Sequence, residues 1–179
     1  EMVPPSDETV VYFLQDKHNL YVAFCCWAKN SAIVNQMTPQ DDAVALYLDT
    51  FGNKTTAYVF VIYVSGKYID GIILDDGRST DDSWDGIWER AVKVFGGRYE
   101  VEIKIPFNSI CYKRGLSEWG VNIKRGIMSK KEVNYWTEVS QKEGFRVSKF
   151  GLLKGINIQT IGYYFEFYPE GVVRDDKIE

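Results

Sequence analysis

Histidine is nearly absent from this chain, and positive charge is nowhere concentrated. Of 179 residues only His18 is a histidine, so a zinc centre of imidazole ligands, or a Ser-His-Asp triad elsewhere in the chain, has little to be assembled from. His18 itself, in Gln15-Asp-Lys-His-Asn19, has the setting of a turn residue between two strands. The 21 Lys and Arg are outnumbered by 25 Asp and Glu for a net charge of −4, and they are scattered among the acids. A nucleic acid or an anionic membrane surface would call for a gathered positive face. No apolar run approaches the ~20 residues that a membrane-spanning helix needs, and no basic start followed by an apolar core marks a signal peptide. Direct membrane insertion is therefore not expected. The chain also lacks a glycine-rich phosphate loop, an internal repeat and a low-complexity tract. Its three cysteines cannot all pair with one another, and Cys25 and Cys26, as neighbours on a strand, would point to opposite faces. Cys25 and Cys111 are expected as small buried hydrophobes that say little about compartment.

What the chain has in quantity is aromatic and β-branched residues. At 45% hydrophobic it can bury one good core, and residues 1–179 are read as a single domain. These residues recur in short runs separated by Gly, Asn, Asp and Pro, the pattern of an all-β sandwich. Strands are expected over Thr9 to Phe13, Asn19 to Trp27, Ala43 to Leu48, Ala57 to Tyr63, Tyr68 to Leu74, Trp88 to Phe95, Tyr99 to Pro106, Trp119 to Met128, Asn134 to Glu138 and Gly162 to Tyr168. Pro106 to Ile110 reads as one short helical turn. Alternation on both sides of Gly96-Gly97 spells a β-hairpin, with Tyr99, Val101, Ile103 and Ile105 on one face and Glu100, Glu102 and Lys104 on the other. Ala57 to Val64 is apolar at every position and is expected to be a central strand covered on both sides. The loops with room for function are Lys29 to Asp42, Asp75 to Asp85 and Ser140 to Lys149.

The order of several short motifs adds to this picture: Leu20-Tyr-Val-Ala-Phe24, Asp42-Ala-Val-Ala-Leu-Tyr-Leu-Asp49 with Thr50-Phe51, Trp84 to Glu89, Gly97 to Pro106, Trp119-Gly-Val-Asn122, Ser148-Lys-Phe-Gly151 and Gly151 to Ile156. From about Thr9 to Tyr168 the chain resembles the family 9 carbohydrate-binding modules, and more closely the family-9-like domains at the N-terminus of bacterial proteins that end in an outer-membrane barrel. The resemblance implies a two-sheet antiparallel β-sandwich of jelly-roll type, secreted or periplasmic or at the cell surface, with no catalysis of its own. The partner it implies is a poly- or oligosaccharide; the alternative is a structural or docking role toward the remainder of a longer chain. The family's opening strand has no match before Thr9, so a fragment is expected. The family's sugar slot lies between two tryptophans, and those positions fall here near Met37 to Pro39 and near Gly144 or Phe145. Its polar contacts fall at Ala45, Val61 and Tyr63. Ala and Val offer no hydrogen bond to a hydroxyl, so the fold should carry over without that slot.

Trp84 and Trp88 stand among acids in Thr80-Asp-Asp-Ser-Trp-Asp-Gly-Ile-Trp-Glu89 and could either stack on sugar or fill the core. Trp88 is read as core. Trp84, flanked by Ser83 and Asp85, is read as an exposed ring that could form a platform with Tyr68 or with Tyr135-Trp136; Tyr63 completes the ligand-binding candidates. Calcium takes six to eight oxygens, and modules of the resembled family hold structural calcium, which makes Asp75, Asp76, Asp81 and Asp82 the candidate ligands. The other reading of that loop is a solvated acidic surface. Carboxylate pairs for glycoside hydrolysis cannot be picked out where carboxylates are so common.

Overall fold

The computed structural model describes residues 4–140 and 142–158. The strands are β1 (Thr9–Gln15), β2 (Asn19–Trp27), β3 (Ala43–Asp49), β4 (Ala57–Tyr63), β5 (Tyr68–Leu74), β6 (Ser79–Asp81), β7 (Glu89–Phe95), β8 (Arg98–Pro106), β9 (Glu118–Ile127), β10 (Glu132–Tyr135) and β11 (Gly151–Lys154). They form an antiparallel four-stranded sheet in the order β1-β2-β8-β7 and an antiparallel seven-stranded sheet in the order β10-β9-β3-β4-β5-β6. β11 shares the outer edge of β9 with β10, pairing with Val121 to Glu118 while β10 pairs with Ile127 to Lys124. This is the all-β, two-sheet antiparallel sandwich expected from the alternating runs.

Alternation assigns the faces. Leu20, Val22, Phe24 and Cys26 on β2 and Tyr99, Val101, Ile103 and Ile105 on β8 turn inward, where they meet the inward residues of β3, β4 and β9 in one core. Trp119, Phe24 and Phe60 are fully buried there. Each such side chain contributes about 1.5–3 kcal/mol by leaving water. The wet side of β8 follows from the same period: Glu100, Glu102 and Lys104 alternate with the core residues.

The hairpin of β7 and β8 closes with Phe95 opposite Arg98. Positive φ occurs only at the second turn residue, Gly97 at 79°. β4 lies between β3 and β5 and is buried on both faces from Ala57 to Phe60, but the expected cover is incomplete at Val61 and Tyr63, which are half-buried. Among the described residues helical structure amounts to short 3-10 turns, including Phe107–Ser109 just after Pro106 and Asp75–Gly77 after β5. β6 and β11 were not expected, and Gly162 to Tyr168 lies outside the described residues. The cysteine expectation is corrected: Cys26 is the buried one, Cys25 is partly buried and Cys111 is exposed, because Cys111 follows Ile110 into a loop instead of continuing a strand.

Candidate functional site

Between the sheets, at their β5 and β7 side, lie the tryptophans of the acidic stretch. Trp88 is buried, and its Nε1 donates to the Asp70 carboxylate at 2.8 Å while the Gly86 amide donates to the same oxygen at 3.0 Å. A buried indole N–H needs such a partner, so Asp70 serves the core and not a ligand. Trp84 corrects the expectation of an exposed platform. It is half-buried, its ring centroid 4.8 Å from Tyr58 and 5.8 Å from Phe60. The chain from Asp82 to Trp88 is not a strand, so no period fixed which way Trp84 would point, and it turns inward to seal the core beside Trp88. Tyr68 is 41% exposed, but its ring edge meets Trp88 at 5.3 Å and the Arg90 guanidinium lies 3.2 Å from its centroid. With one ring face taken by a cation, Tyr68 closes the gap between β5 and β7 instead of offering a free stacking surface.

The opposite face of the seven-stranded sheet, turned away from the small sheet, carries Tyr63 and Tyr135. Tyr135 on β10 stands directly opposite Lys124 on β9, Lys124 opposite Ala45 on β3, Ala45 opposite Val61 on β4 and Val61 opposite Ile69 on β5. Tyr63 follows Val61 on the same face, opposite Ala43. The result is a row from Tyr135 through Lys124, Ala45 and Val61 to Ile69, with Tyr63 beside Val61 in the next row and the Lys124 ammonium 6.0 Å from the Tyr135 ring centroid. Strands ~4.8 Å apart put Tyr135 about 14 Å from Val61 across this row. Ala45, Val61 and Tyr63, the positions where the family's polar contacts fall, are thus neighbours on one outward face.

Only part of that face is open. From Phe145 to Phe150 the chain crosses it, and Phe145, Val147 and Phe150 pack with Ala45, Tyr47, Ala57, Val59 and Ile73 in a second apolar cluster, separate from the core between the sheets, with Val61 and Tyr135 half-buried at its margin. Phe145 touches both the covered and the open part, with its centroid 4.7 Å from Tyr47 and 5.9 Å from Tyr135. Burial pushes the Tyr135 hydroxyl up from its ordinary pKa, so the ring stays neutral and can donate or accept a hydrogen bond near neutral pH.

The four acidic residues considered for calcium are not brought together. Asp76 accepts hydrogen bonds from the Ser148 amide at 2.8 Å and the Ser148 hydroxyl at 3.0 Å. Burial alone would raise its carboxyl, but those two donors and the Arg146 and Arg78 charges outweigh it and hold the group below the usual carboxylate range. Asp81 accepts from the Ser83 hydroxyl and amide, which lower its pKa, and Asp75 accepts from Ser79 at 3.4 Å. Asp82 is exposed. Among the described residues no group of three or more His, Cys, Asp or Glu is arranged to hold a metal ion.

Trp136, 59% exposed, lies elsewhere. Its indole covers Gly151, where a Cβ would come within 2.3 Å of the ring, and it borders a cleft of about 630 Å³ between β1 and the β9-β11 edge, lined by Val10, Phe13, Arg125 and Leu152 among others. The five candidate rings therefore divide three ways: Trp84 and Tyr68 between the sheets, Tyr63 and Tyr135 on the outer face, and Trp136 at the cleft, which Tyr135 also borders. The segment Phe145 to Phe150 and its seat on Asp76 were not anticipated, because their contacts join residues some seventy positions apart. The one available sequence signal was Phe145 itself, at a position of the resembled slot.

No family model matches the chain, and no curated protein does. Solved structures do. A family 9 carbohydrate-binding module from Caldicellulosiruptor kristjanssonii in complex with glucose is similar over 90% of this chain and 82% of its own, at 13% identity and a TM-score of 0.63. The module from that organism in complex with cellotriose matches over 93% and 84%, at 14% identity and a TM-score of 0.62. A protein from Bacteroides uniformis assigned as carbohydrate-binding matches over 83% and 78%, at 12% identity and a TM-score of 0.64. At such identities the likeness is one of fold alone: this chain has the sandwich architecture seen in the family 9 carbohydrate-binding modules.

Proposed function

We propose that this domain binds a poly- or oligosaccharide without transforming it, outside the cytoplasm, on the open part of the outer sheet face between Tyr63 and Tyr135. The observation that carries this reading is the pair of tyrosines on one outward face of a sandwich whose structural neighbours were solved with glucose and cellotriose. The C–H face of a sugar ring stacks on an aromatic ring, and its hydroxyls are met by the phenol oxygens and the Lys124 ammonium. Between the two rings Ala45 is buried and Val61 half-buried, so neither supplies a hydrogen bond and recognition falls to Tyr63, Tyr135 and Lys124. Catalysis draws no support from His18, which sits in the turn between β1 and β2 with its amide on Asp16.

Calorimetry with the hits of a glycan array, with cellotriose included, tests this. Tyr63→Ala and Tyr135→Ala should each weaken binding about tenfold or more, equivalent to ~1.4 kcal/mol. Binding unchanged in both variants would move the sugar off this face. The rival reading, docking against the rest of a longer chain, has one feature in its favour: the cleft beside Trp136, whose described lining is largely apolar. An array without a single hit would leave that reading standing.

A further inference from the structure

The turn Asp75–Gly77 is the one place among the described residues where three successive residues take positive φ. Asp75, Asp76 and Gly77 follow one another at φ 51°, 57° and 93°. Two consecutive non-glycine residues in the left-handed region are strained and persist only where their surroundings hold them. Here the surroundings are the segment that crosses the outer sheet face. A Cβ on Gly77 would lie 2.5 Å from the Phe145 carbonyl oxygen, so only glycine lets the two chains approach this closely. The Asp76 amide donates to the Thr55 carbonyl at 2.8 Å, tying the turn to the β3-β4 loop. Its carboxylate receives the Ser148 amide and hydroxyl, with the Arg146 Nε 4.0 Å away.

Both ends of the Phe145 to Ser148 stretch are thereby fixed at the turn, at its backbone by Gly77 and at its side chains by Asp76. Phe145 in turn rests against Tyr135 and Tyr47. We propose that Asp76 is a positioning residue for the carbohydrate site: by holding Ser148 and Arg146 it sets Phe145, and Phe145 sets the Tyr135 ring. This rests on the reading of Tyr135 as a sugar contact. The carboxylate considered for calcium thus acts across the sheet, on a ring it does not touch.

A comparison of Asp76→Gly with Asp76→Asn isolates the carboxylate. Both residues tolerate a left-handed φ; asparagine keeps an acceptor for Ser148, and glycine has none. In the glycine variant, nuclear Overhauser contacts between Phe145 and Tyr135 should weaken, the Tyr135 ring resonances should shift, and cellotriose affinity should fall about tenfold with the protein still folded. Asp76→Asn should restore all three to within about threefold of the parent. A glycine variant with parental Phe145–Tyr135 contacts overturns the proposal, and so does one whose Tyr135 has moved while its cellotriose affinity has not. If the parent itself binds no cellotriose, the carbohydrate reading is what has failed, while the ring contacts still decide whether Asp76 sets Tyr135.

Discussion

On its inner face the seven-stranded sheet is covered by another sheet, through side chains that alternate with the strand period and interlock around Trp119, Phe60 and Trp88. On its outer face, part of the sheet is covered by the single segment from Phe145 to Phe150, with three apolar residues and a polar fastening at Asp76. The inner cover is held by burial, the outer one by a hydrogen-bonded clasp and a few ring contacts. A cover of the second kind leaves free surface beside it, and Tyr63 and Tyr135 occupy that surface.

The largest expected effect is on the inner face. Trp88→Ala should cost about 3–5 kcal/mol in a denaturant titration, through lost burial and a cavity, and it strips Asp70 of its indole donor. Trp84→Ala should cost about 2 kcal/mol, since that ring is half-buried against Tyr58 and Phe60 and adds an aromatic contact to its area. Equal losses would make the two rings equivalent, and no loss at Trp84 would return it to the surface. Next comes the hairpin. Gly97→Val should cost about 1–2 kcal/mol for placing an L-residue in the left-handed region, and all of it is backbone cost because a Cβ there meets nothing within 4 Å. An unchanged melting temperature would contradict the turn geometry.

The smallest effect is electrostatic and lies at the far side of the small sheet. Asp16 accepts from the amides of His18 and Asn19 and from the Tyr21 hydroxyl. The His18 amide first, then the Tyr21 hydroxyl, hold its carboxyl down to about 2. A pKa depressed below the unfolded value of ~3.9 means that the contribution is whole above about pH 4 and is lost as pH falls through about 2. Carbon-detected titration of Asp16 should show that midpoint; a midpoint near 4 would mean the turn does not hold the carboxylate.

The same contrast explains what the sequence disclosed. Strands of the core, β2, β4 and β5 among them, begin and end where their apolar runs do, because burial writes itself into the residue types, at every second position of β2 and at nearly every position of β4. β6, Ser79–Asp81, is exposed at all its positions, and β11 has only four residues on half of an edge; neither leaves a pattern. β10 runs from Glu132 to Tyr135 rather than from Asn134 onward, since the apolar pair Tyr135-Trp136 marks its end and not its middle. Tyr63 and Tyr135 were visible as aromatic candidates, but their common face depends on the pairing of four strands. Trp84 was misplaced because loops have no period, and the use of Asp76 depends on a partner, Ser148, that no local pattern could name.

The most direct measurement is a chemical-shift map of the backbone amides during a cellotriose titration. The account predicts that the perturbed amides cluster around Tyr63, Lys124 and Tyr135 on the outer sheet face and extend to Phe145. Perturbations gathered instead at Trp136 and the β1 cleft, or saturable binding that leaves the outer face untouched, would contradict it.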